Sequence, residues 1–375
     1  MSGKGTPRAS PRNAPRRPIR GTLQIVLRHL RGLTTGLLVS SSALGLLGFA
    51  CSKDEKPAEP GTEIDPERSD AAGKALDASN DTNNVIEELD AGVLPPADSG
   101  KTSCDPFAPF ERIERPSGVP TPFTVRPTAD ERTVYFGTFR FVSLFDFRFE
   151  LSSASRPDTT VGFAGAAPLG GEGMNTGSEA VPFITSDGLT LFFTSRRSVD
   201  GGPGGENIWV ATRASTFADF AKPSLVTGVN SSDNDTAPYY VEATGELFFA
   251  SVRTGRPNLD LYRAVKTGGG FAPPERIAEL DGPGDETLPV LSKDGLTLYY
   301  SGGVDEGDGG INRDIFVTTR SKVGAPFGPR KRVDALSTSE FEVPSWISAD
   351  GCRFWFHGIR DGGTQNPIVA VRVPR

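Results

Sequence analysis

Two short phrases recur at an almost constant interval along residues 104–375 of this chain. The first reads Pro-Phe-Ile-Thr-Ser-Asp-Gly-Leu-Thr-Leu at 182–191, and its other copies lie at 128–134, 238–245, 289–298 and 344–351. The second phrase ends in a base, and its copies end at Arg156, Arg213, Lys266, Arg320 and Arg372. These closing bases are 57, 53, 54 and 52 residues apart, so the chain is predicted to be a repeat protein of five structural units.

Each unit is predicted to consist of β-strands. The Asp-Gly pair of the first phrase is typical of a tight hairpin turn, because glycine tolerates the positive φ that such turns require. The runs after it, at 189–193 and 296–300, are apolar on both faces, as in strands that are covered on both sides. With 44 Gly and 31 Pro among 375 residues, long helices are disfavoured. In a β-propeller, the neighbouring blades cover both faces of each blade. The sequence therefore predicts an all-β propeller.

The two ends of the repeat region are predicted to share one blade. The last copy stops directly after its third strand, whereas the Phe-Pro phrase that precedes fourth strands at 271–277 and 327–333 also occurs at 107–113, before the first copy. The economical interpretation is a five-bladed ring in which this N-terminal strand completes the last blade. Six blades would need a further copy, for which the sequence has no room. Closure also removes exposed sheet edges.

Two cysteines lie where they could fasten this ring. Cys104 precedes the N-terminal strand, and Cys352 begins the second strand of the last blade. In an oxidising compartment a disulfide between them would persist. The alternative is two unrelated thiols, because the second and fourth strands of a blade lie about 9–10 Å apart, and a bridge requires Cα atoms within about 7 Å. The sequence leaves both possibilities open.

The repeated phrases resemble the WD-like β-propeller repeats of the TolB type, over residues 104–375. The resemblance implies a propeller fold and partners in the cell envelope, either an envelope protein or a peptidoglycan-associated lipoprotein. TolB proteins also carry an N-terminal α/β domain, whereas this chain has a polar linker at that place. The resemblance is specific for the fold and much less so for the function, because such repeats serve many roles.

Residues 1–50 resemble an export signal. They contain eight Lys or Arg and no acid, and an uncharged segment at 33–49 is followed by Ala50 and Cys51. A basic region, an apolar region and a small residue before the cleavage site are typical of signal peptides, and the following cysteine resembles the lipobox of bacterial lipoproteins. The resemblance implies a cleaved signal, lipid attachment at Cys51 and, with Ser52 next, an outer-membrane location facing the periplasm or the cell surface. An uncleaved anchor helix and a free secreted protein are the alternatives.

Residues 51–103 are predicted to be a lipidated cysteine and a disordered acidic linker, ahead of a propeller at 104–375. The stretch 52–103 contains 13 acids, five bases and no aromatic residue, a composition that cannot bury enough apolar surface to fold. Without residues 1–50 the net charge of −7 becomes about −15. Nucleic acid is therefore not an expected partner, since its phosphates require a basic surface.

Familiar catalytic patterns are absent from the sequence. Outside the signal the chain has one histidine, His357, no Gly-x-Ser-x-Gly motif, no Cys/His metal spacing and no phosphate-binding loop. Acidic glycine-rich loops at 200–206 and 305–312 could offer oxygen ligands to Ca²⁺, but solvated hairpin loops are the simpler interpretation. The sequence thus predicts that the chain is not an enzyme, and it assigns no cofactor and no metal site.

Four acids form a recurring ionisable pattern. Glu179, Asp235 and Glu286 each stand three residues before the proline of their unit, and Glu342 stands one residue out of register. Because they open the innermost strands, we expect them at one mouth of the central channel. There they would attract a cationic peptide or amine ligand, or accept backbone N–H bonds from the next blade, and their recurrence favours this structural role. Residues that do not recur are better ligand candidates: Trp346, Trp355 and His357.

The sequence favours a membrane-tethered, extracytoplasmic propeller that binds a protein or a component of the cell envelope. One alternative is a glycosidase built on a five-bladed propeller, which would need two or three carboxylates about 5–10 Å apart at a channel mouth. Another is a structural envelope protein that binds no small ligand.

Overall fold

Strands account for nearly all regular structure in the computed structural model of this chain. The structure describes residues 103–119, 124–141, 147–198, 204–253, 255, 258–305, 311–338, 341–358 and 366–373. The predicted signal peptide, the lipid attachment at Cys51 and the acidic linker lie outside these residues. Within them, no helix is long and apolar enough to cross a bilayer.

The strands form five antiparallel sheets, which are the five blades. Blade 1 contains β2 (Val125–Pro127), β3 (Thr133–Phe141), β4 (Phe147–Ser155) and β5 (Ala164–Pro168). Blade 2 contains β6 (Glu179–Ile184), β7 (Thr190–Ser195), β8 (Asn207–Thr212) and β9 (Ser224–Leu225). Blade 3 contains β10 (Asp235–Val241), β11 (Glu246–Ser251), β12 (Asp260–Thr267), β13 (Gly270–Phe271) and β14 (Glu275–Arg276), and a 3₁₀ helix follows at Ala278–Leu280.

Blade 4 contains β15 (Glu286–Leu291), β16 (Thr297–Asp305), β17 (Ile311–Thr319) and β18 (Lys331–Arg332). Blade 5 contains β19 (Glu342–Ile347), β20 (Arg353–Gly358), β21 (Asn366–Val371) and, from the other end of the chain, β1 (Arg112–Glu114). The first strand of each blade in chain order, among β2, β6, β10, β15 and β19, is its innermost strand. We call the side of the ring on which these strands begin the entry face.

The N-terminal strand closes the ring as predicted. β1 pairs antiparallel with β21, with Ile113 opposite Ala370. The guanidinium of Arg372 lies 3.8 Å from the ring centroid of Phe110, just as Arg320 lies 5.0 Å from Phe327 within blade 4. The two ends of the chain therefore make the contacts that a continuous segment makes elsewhere, and the prediction of a five-bladed propeller is confirmed.

Cys104 and Cys352 are joined by a disulfide, with Cα atoms 5.2 Å apart. Cys104 does not lie on β1 itself but eight residues before it, where its N–H donates to the carbonyl of Asp350 at 2.7 Å. The chain thus crosses the edge of blade 5 and reaches the hairpin turn that precedes Cys352. This path brings the two residues closer than the two-strand spacing between fourth and second strands.

The repeated phrases have a common structural basis in the hairpin turns. Asp187 accepts hydrogen bonds from the Thr185 hydroxyl at 2.6 Å and the Leu189 N–H at 2.9 Å, and Gly188 has the positive φ of 71° that the turn requires. The closing base of the unit, Arg213, donates through Nε to the Gly188 carbonyl at 2.7 Å. The Asp-Gly pair and the closing base are therefore parts of one local structure.

An apolar cluster fills the middle of the ring near the entry face. Its members come from four innermost strands and contact one another: Val181, Ala237, Leu288 and Val343. Val181, Ala237 and Leu288 have φ of 50°, 56° and 52°, at register shifts between the first and second strands of their blades. These bulges turn the side chains toward the ring axis at the cost of local strain.

Candidate functional site

The four recurring acids are each the first residue of an innermost strand: Glu179, Asp235, Glu286 and Glu342. None is more than 2% exposed, so they lie inside the entry face and not on an open channel wall. Glu342 is opposite Gly358 just as Glu179 is opposite Ser195, so the acid of blade 5 keeps the common register. The proline of that unit, Pro344, is the residue that is displaced.

In blade 2 the acid is held by its own blade. Glu179 Oε1 accepts hydrogen bonds from the Gly177 N–H at 2.7 Å, from the Ser195 hydroxyl at 3.1 Å and from Arg197 Nη2 at 2.8 Å. Arg197 stands two residues beyond the strand residue that pairs with the acid. A carboxylate that accepts from a hydroxyl, an N–H and a guanidinium is held in one place, which suits a structural role.

Blade 3 repeats this arrangement. Asp235 accepts hydrogen bonds from the N–H and the hydroxyl of Ser231 and from Arg253 Nη2, all within 2.9 Å. In blade 5, the Thr338 N–H donates to Glu342 at 3.0 Å. In each case the N–H donor belongs to the segment that leads into the same strand, and not to the next blade as expected from the sequence.

Blade 4 departs from the pattern because it lacks the arginine. Glu286 is opposite Gly302, so the position of Arg197 and Arg253 is taken by Val304. Glu286 accepts the Gly282 N–H, and the closest cation is Arg330, at 3.7 Å from Oε1. Within the described part of the chain, Oε1 has no hydrogen-bond partner.

Two further carboxylates meet Glu286 at the entry face. Asp260, the first residue of β12, and Asp281, in the segment before β15, each place an oxygen within 4.8 Å of the others and of Glu286. Arg276 donates to both aspartates, at 3.1 Å to Asp260. Its contact with Asp260 recurs in blade 4 as Arg332 with Asp314 at 2.7 Å, so that pair belongs to the framework. We call Asp260, Asp281 and Glu286 the carboxylate cluster.

Burial raises the pKa of Glu286 to about 7, and the negative charges of Asp260 and Asp281 act in the same direction. The Gly282 N–H and the distant Arg330 oppose this shift only in part. At neutral pH Glu286 is therefore protonated in a large share of molecules, beside two aspartates. The cluster thus combines a proton donor with carboxylates that can act as bases or nucleophiles.

Sequence reasoning found Glu286 but not the rest of the cluster. It treated the four acids as equivalent, and it did not consider Asp260, Asp281 or Arg276. One feature of the sequence distinguishes Glu286 from the other acids. The segments at 195–197 and 251–253 read Ser-x-Arg, whereas the equivalent segment of blade 4, at 302–304, reads Gly-Gly-Val. The acidic loops at 200–206 and 305–312 lie largely outside the described residues.

Two of the three non-recurring ligand candidates are buried and do not lie at the surface as expected. Trp355 is fully buried and donates through Nε1 to Glu131 at 2.9 Å. His357 is also fully buried, and Trp346 is partly buried against the cluster of blades 1 and 5. The expectation of surface exposure is wrong for Trp355 and His357, because blade-to-blade packing covers both faces of β20.

The known proteins that this chain resembles are similar to it in fold. No family model and no curated protein matches its sequence. Among solved structures, it resembles TolB from Acinetobacter baumannii, with 17% identity over 67% of this chain and 54% of that one and a TM-score of 0.39. The chain thus spans about half the length of that TolB.

Enzymes are among the similar structures as well. A glycosyl hydrolase from Bacteroides ovatus is 13% identical, over 71% of this chain and 97% of that one, with a TM-score of 0.41. An endo-arabinase from Bacteroides thetaiotaomicron is 12% identical, over 67% and 98%, also with a TM-score of 0.41. Likeness at this level concerns the fold alone. The prediction that the chain is not an enzyme is corrected accordingly: glycoside hydrolases are among the structures of similar fold, and the sequence motifs considered did not include the carboxylate cluster.

Proposed function

We propose that the chain hydrolyses glycosidic bonds at the carboxylate cluster between blades 3 and 4. The observation that supports this is Glu286, a buried carboxyl whose pKa of about 7 makes it a proton donor at neutral pH, beside Asp260 and Asp281. Glycoside hydrolysis requires one protonated and one ionised carboxyl group on either side of the scissile bond.

The exposure of the three carboxylates assigns their roles. Asp281 has 29% of its side chain exposed, so it is the member that an incoming sugar reaches first, and it acts as the nucleophile. Glu286 protonates the leaving oxygen. Asp260 is 1% exposed and, with Arg276, holds Asp281 in place. The carboxylate oxygens lie within 4.8 Å of one another, which is shorter than the about 6.5–9.5 Å of inverting enzymes and favours the retaining mechanism.

The proposal locates this activity in the cell envelope. A lipid on Cys51 and the acidic segment at 52–103 would hold the propeller at a membrane, with the outer membrane as the expected site. The Cys104–Cys352 disulfide supports an extracytoplasmic location, because disulfides persist in oxidising compartments. Mass spectrometry of the N-terminal peptide from membrane fractions tests the anchor, and a diacylated Cys51 is expected. The Cys51→Ser variant should be released into the soluble fraction.

Hydrolysis of a panel of aryl glycosides and envelope polysaccharides, with Glu286→Gln as the variant, tests the activity. We expect Glu286→Gln to lower kcat/KM on polysaccharides by about 100- to 10,000-fold. The loss should be smaller on 4-nitrophenyl glycosides, whose leaving group needs little protonation. Proton NMR of the first product formed should show retention of the anomeric configuration.

Glu275→Gln is the matched control, because Glu275 is an exposed glutamate on β14 of blade 3, outside the cluster. Its side chain is 72% exposed and pairs with Arg263. The substitution is the same as at Glu286, but it lies outside the cluster, so the activity should be unchanged. Absence of hydrolysis across the panel by the wild-type chain would contradict the proposal, as would equal losses in Glu275→Gln and Glu286→Gln.

Binding of an envelope partner is a second candidate function, which the tip of blade 1 supports. Phe139 and Phe141, at the end of β3 on the entry face, are 39% and 76% exposed. Exposed aromatic side chains are frequent anchors in protein interfaces. Crosslinking in native envelopes, with Phe141→Ser as the variant, should lose any partner bound at this tip while leaving hydrolysis intact.

A further inference from the structure

Arg126 is a buried cation at the centre of the ring. It lies on β2 of blade 1 and is 1% exposed. Its Nη1 donates to the carbonyl of Ser345 on β19 of blade 5, and its guanidinium carbon lies 5.1 Å from the ring centroid of Tyr239 on β10 of blade 3. The side chain therefore crosses the space that the innermost strands enclose.

This cation lacks a counter-charge within the described part of the chain. Its Nε and Nη2 have no hydrogen-bond acceptor there. Arg320, which is similarly buried, shows the usual solution, because it donates to both carboxylate oxygens of Glu246. Burial lowers the pKa of Arg126 to about 10, which still leaves it charged at neutral pH. A buried charge without a partner is strongly unfavourable.

The neighbours of Arg126 add further unpartnered polar atoms. His357 on β20 is fully buried, and both of its ring nitrogens lack a partner among the residues described. Burial, followed by the positive charge of Arg126, lowers the pKa of His357 to about 3, so the imidazole is neutral. Thr124, two residues before Arg126, is 1% exposed, and its hydroxyl is also unpartnered. The group thus carries one positive charge and offers several donors, but it contains no anionic acceptor.

We propose that the centre of the propeller binds a small monovalent anion of halide size on Arg126, with His357 and Thr124 as additional donors. The chemistry selects an anion, because the guanidinium, the neutral imidazole and the hydroxyl can all donate to it. The bound ion must also be small, because all the residues that would contact it are buried. This site is separate from the carboxylate cluster and does not depend on the proposed hydrolysis.

Thermal unfolding of the full chain in sodium chloride and in sodium gluconate, at constant ionic strength, tests the proposal. A ligand that binds only the folded state raises the midpoint with a saturable dependence on its concentration. We expect chloride or bromide to raise the midpoint by roughly 2–6 °C relative to gluconate. Arg126→Met should abolish this difference, whereas Arg196→Met, which removes an arginine with 67% of its side chain exposed, should keep it.

Crystals of the wild-type chain grown in bromide give a second measurement that does not need a folded variant. An anomalous peak within hydrogen-bond distance of the Arg126 guanidinium is expected. Three results would each overturn the proposal. They are equal unfolding midpoints in chloride and gluconate, a chloride effect that persists in a folded Arg126→Met variant, and the lack of a bromide peak at Arg126.

Discussion

Blades 2 and 4 begin with the same residue type in the same position, yet their glutamates have different surroundings. Each has one carboxylate oxygen without a hydrogen-bond partner in the described structure. The other features differ: Glu179 receives Arg197 at 2.8 Å and the Ser195 hydroxyl at 3.1 Å, whereas Glu286 has Arg330 no closer than 3.7 Å and lies beside Asp260 and Asp281.

The acid–arginine contacts that recur from blade to blade belong to the framework of the propeller. The blade that lacks this arginine contains the candidate site. An arginine two residues beyond the paired strand residue neutralises the acids of blades 2 and 3. In blade 4, Val304 takes this place and two aspartates approach. The same structural position thus holds an ion-paired acid in one blade and an acid with a raised pKa in another.

The largest effect is expected from removing the anchored acid. Glu179→Gln leaves Arg197, with only 11% of its side chain exposed, without a counter-charge, so the free energy of unfolding should fall by about 3 kcal/mol. Glu286→Gln should change it by less than about 1 kcal/mol at pH 7. Urea unfolding of both variants checks this, and equal destabilisation would erase the distinction between the two blades.

His357 provides a similar contrast between blade 5 and blade 2, where Thr194 has the equivalent position. The folded-state pKa of His357 is lowered to about 3 from 6.5, so its contribution to stability is complete above pH 6.5 and is lost as the pH falls towards 3. Between pH 6.5 and 4.5 the wild type should lose roughly 2 kcal/mol more than His357→Thr. Parallel pH profiles of the two proteins would show that His357 is not buried in neutral form.

Glu286 should affect stability in the opposite pH direction. Its folded-state pKa is raised to about 7 from 4.5, so the stability that it contributes is complete below pH 4.5 and is lost as the pH rises through 7. Between pH 4.5 and 8 the wild type should lose about 3 kcal/mol relative to Glu286→Gln. Unfolding midpoints at pH 4.5 and 8 measure it, with Glu275→Gln as the control that should behave as the wild type.

Restoring the missing arginine should convert blade 4 into a copy of blade 2. Val304→Arg supplies the cation at the position of Arg197 and Arg253, so the pKa of Glu286 should fall towards its ordinary value. Stability at pH 8 should rise by about 1 kcal/mol, and hydrolysis should decline because the proton donor is lost. A variant with unchanged stability and pH profile would indicate that the arginine is not what separates the two blades.

The fold was predictable because its determinants are local and repeated. The Asp187–Gly188 turn and its equivalents, together with the closing bases such as Arg213, are visible in five copies, and the displaced Phe-Pro phrase at 107–113 identified the closing strand. Strand register was less predictable, since the bulges at Val181 and Ala237 and the shifted Pro344 depend on packing at the ring axis.

The candidate site was predictable only in part because it joins elements of two blades. Glu286 was recognisable as one of four acids, but Asp260 belongs to blade 3, and Asp281 to the segment between the blades. Their approach depends on how the blades pack, which no spacing in the sequence records. In the central group, His357 was recognisable as a ligand candidate, but Arg126 was missed for the same reason, because blades 1 and 5 are far apart in the chain.

The most direct test of the account is to titrate Glu286 itself. Infrared difference spectra between the wild type and Glu286→Gln, recorded from pH 5 to 9, isolate the carboxyl stretch of that residue. We expect a protonated carboxyl band that disappears with a midpoint near pH 7 and is absent from the variant. A Glu286 carboxyl that is already ionised at pH 5, like an ordinary glutamate, would contradict it.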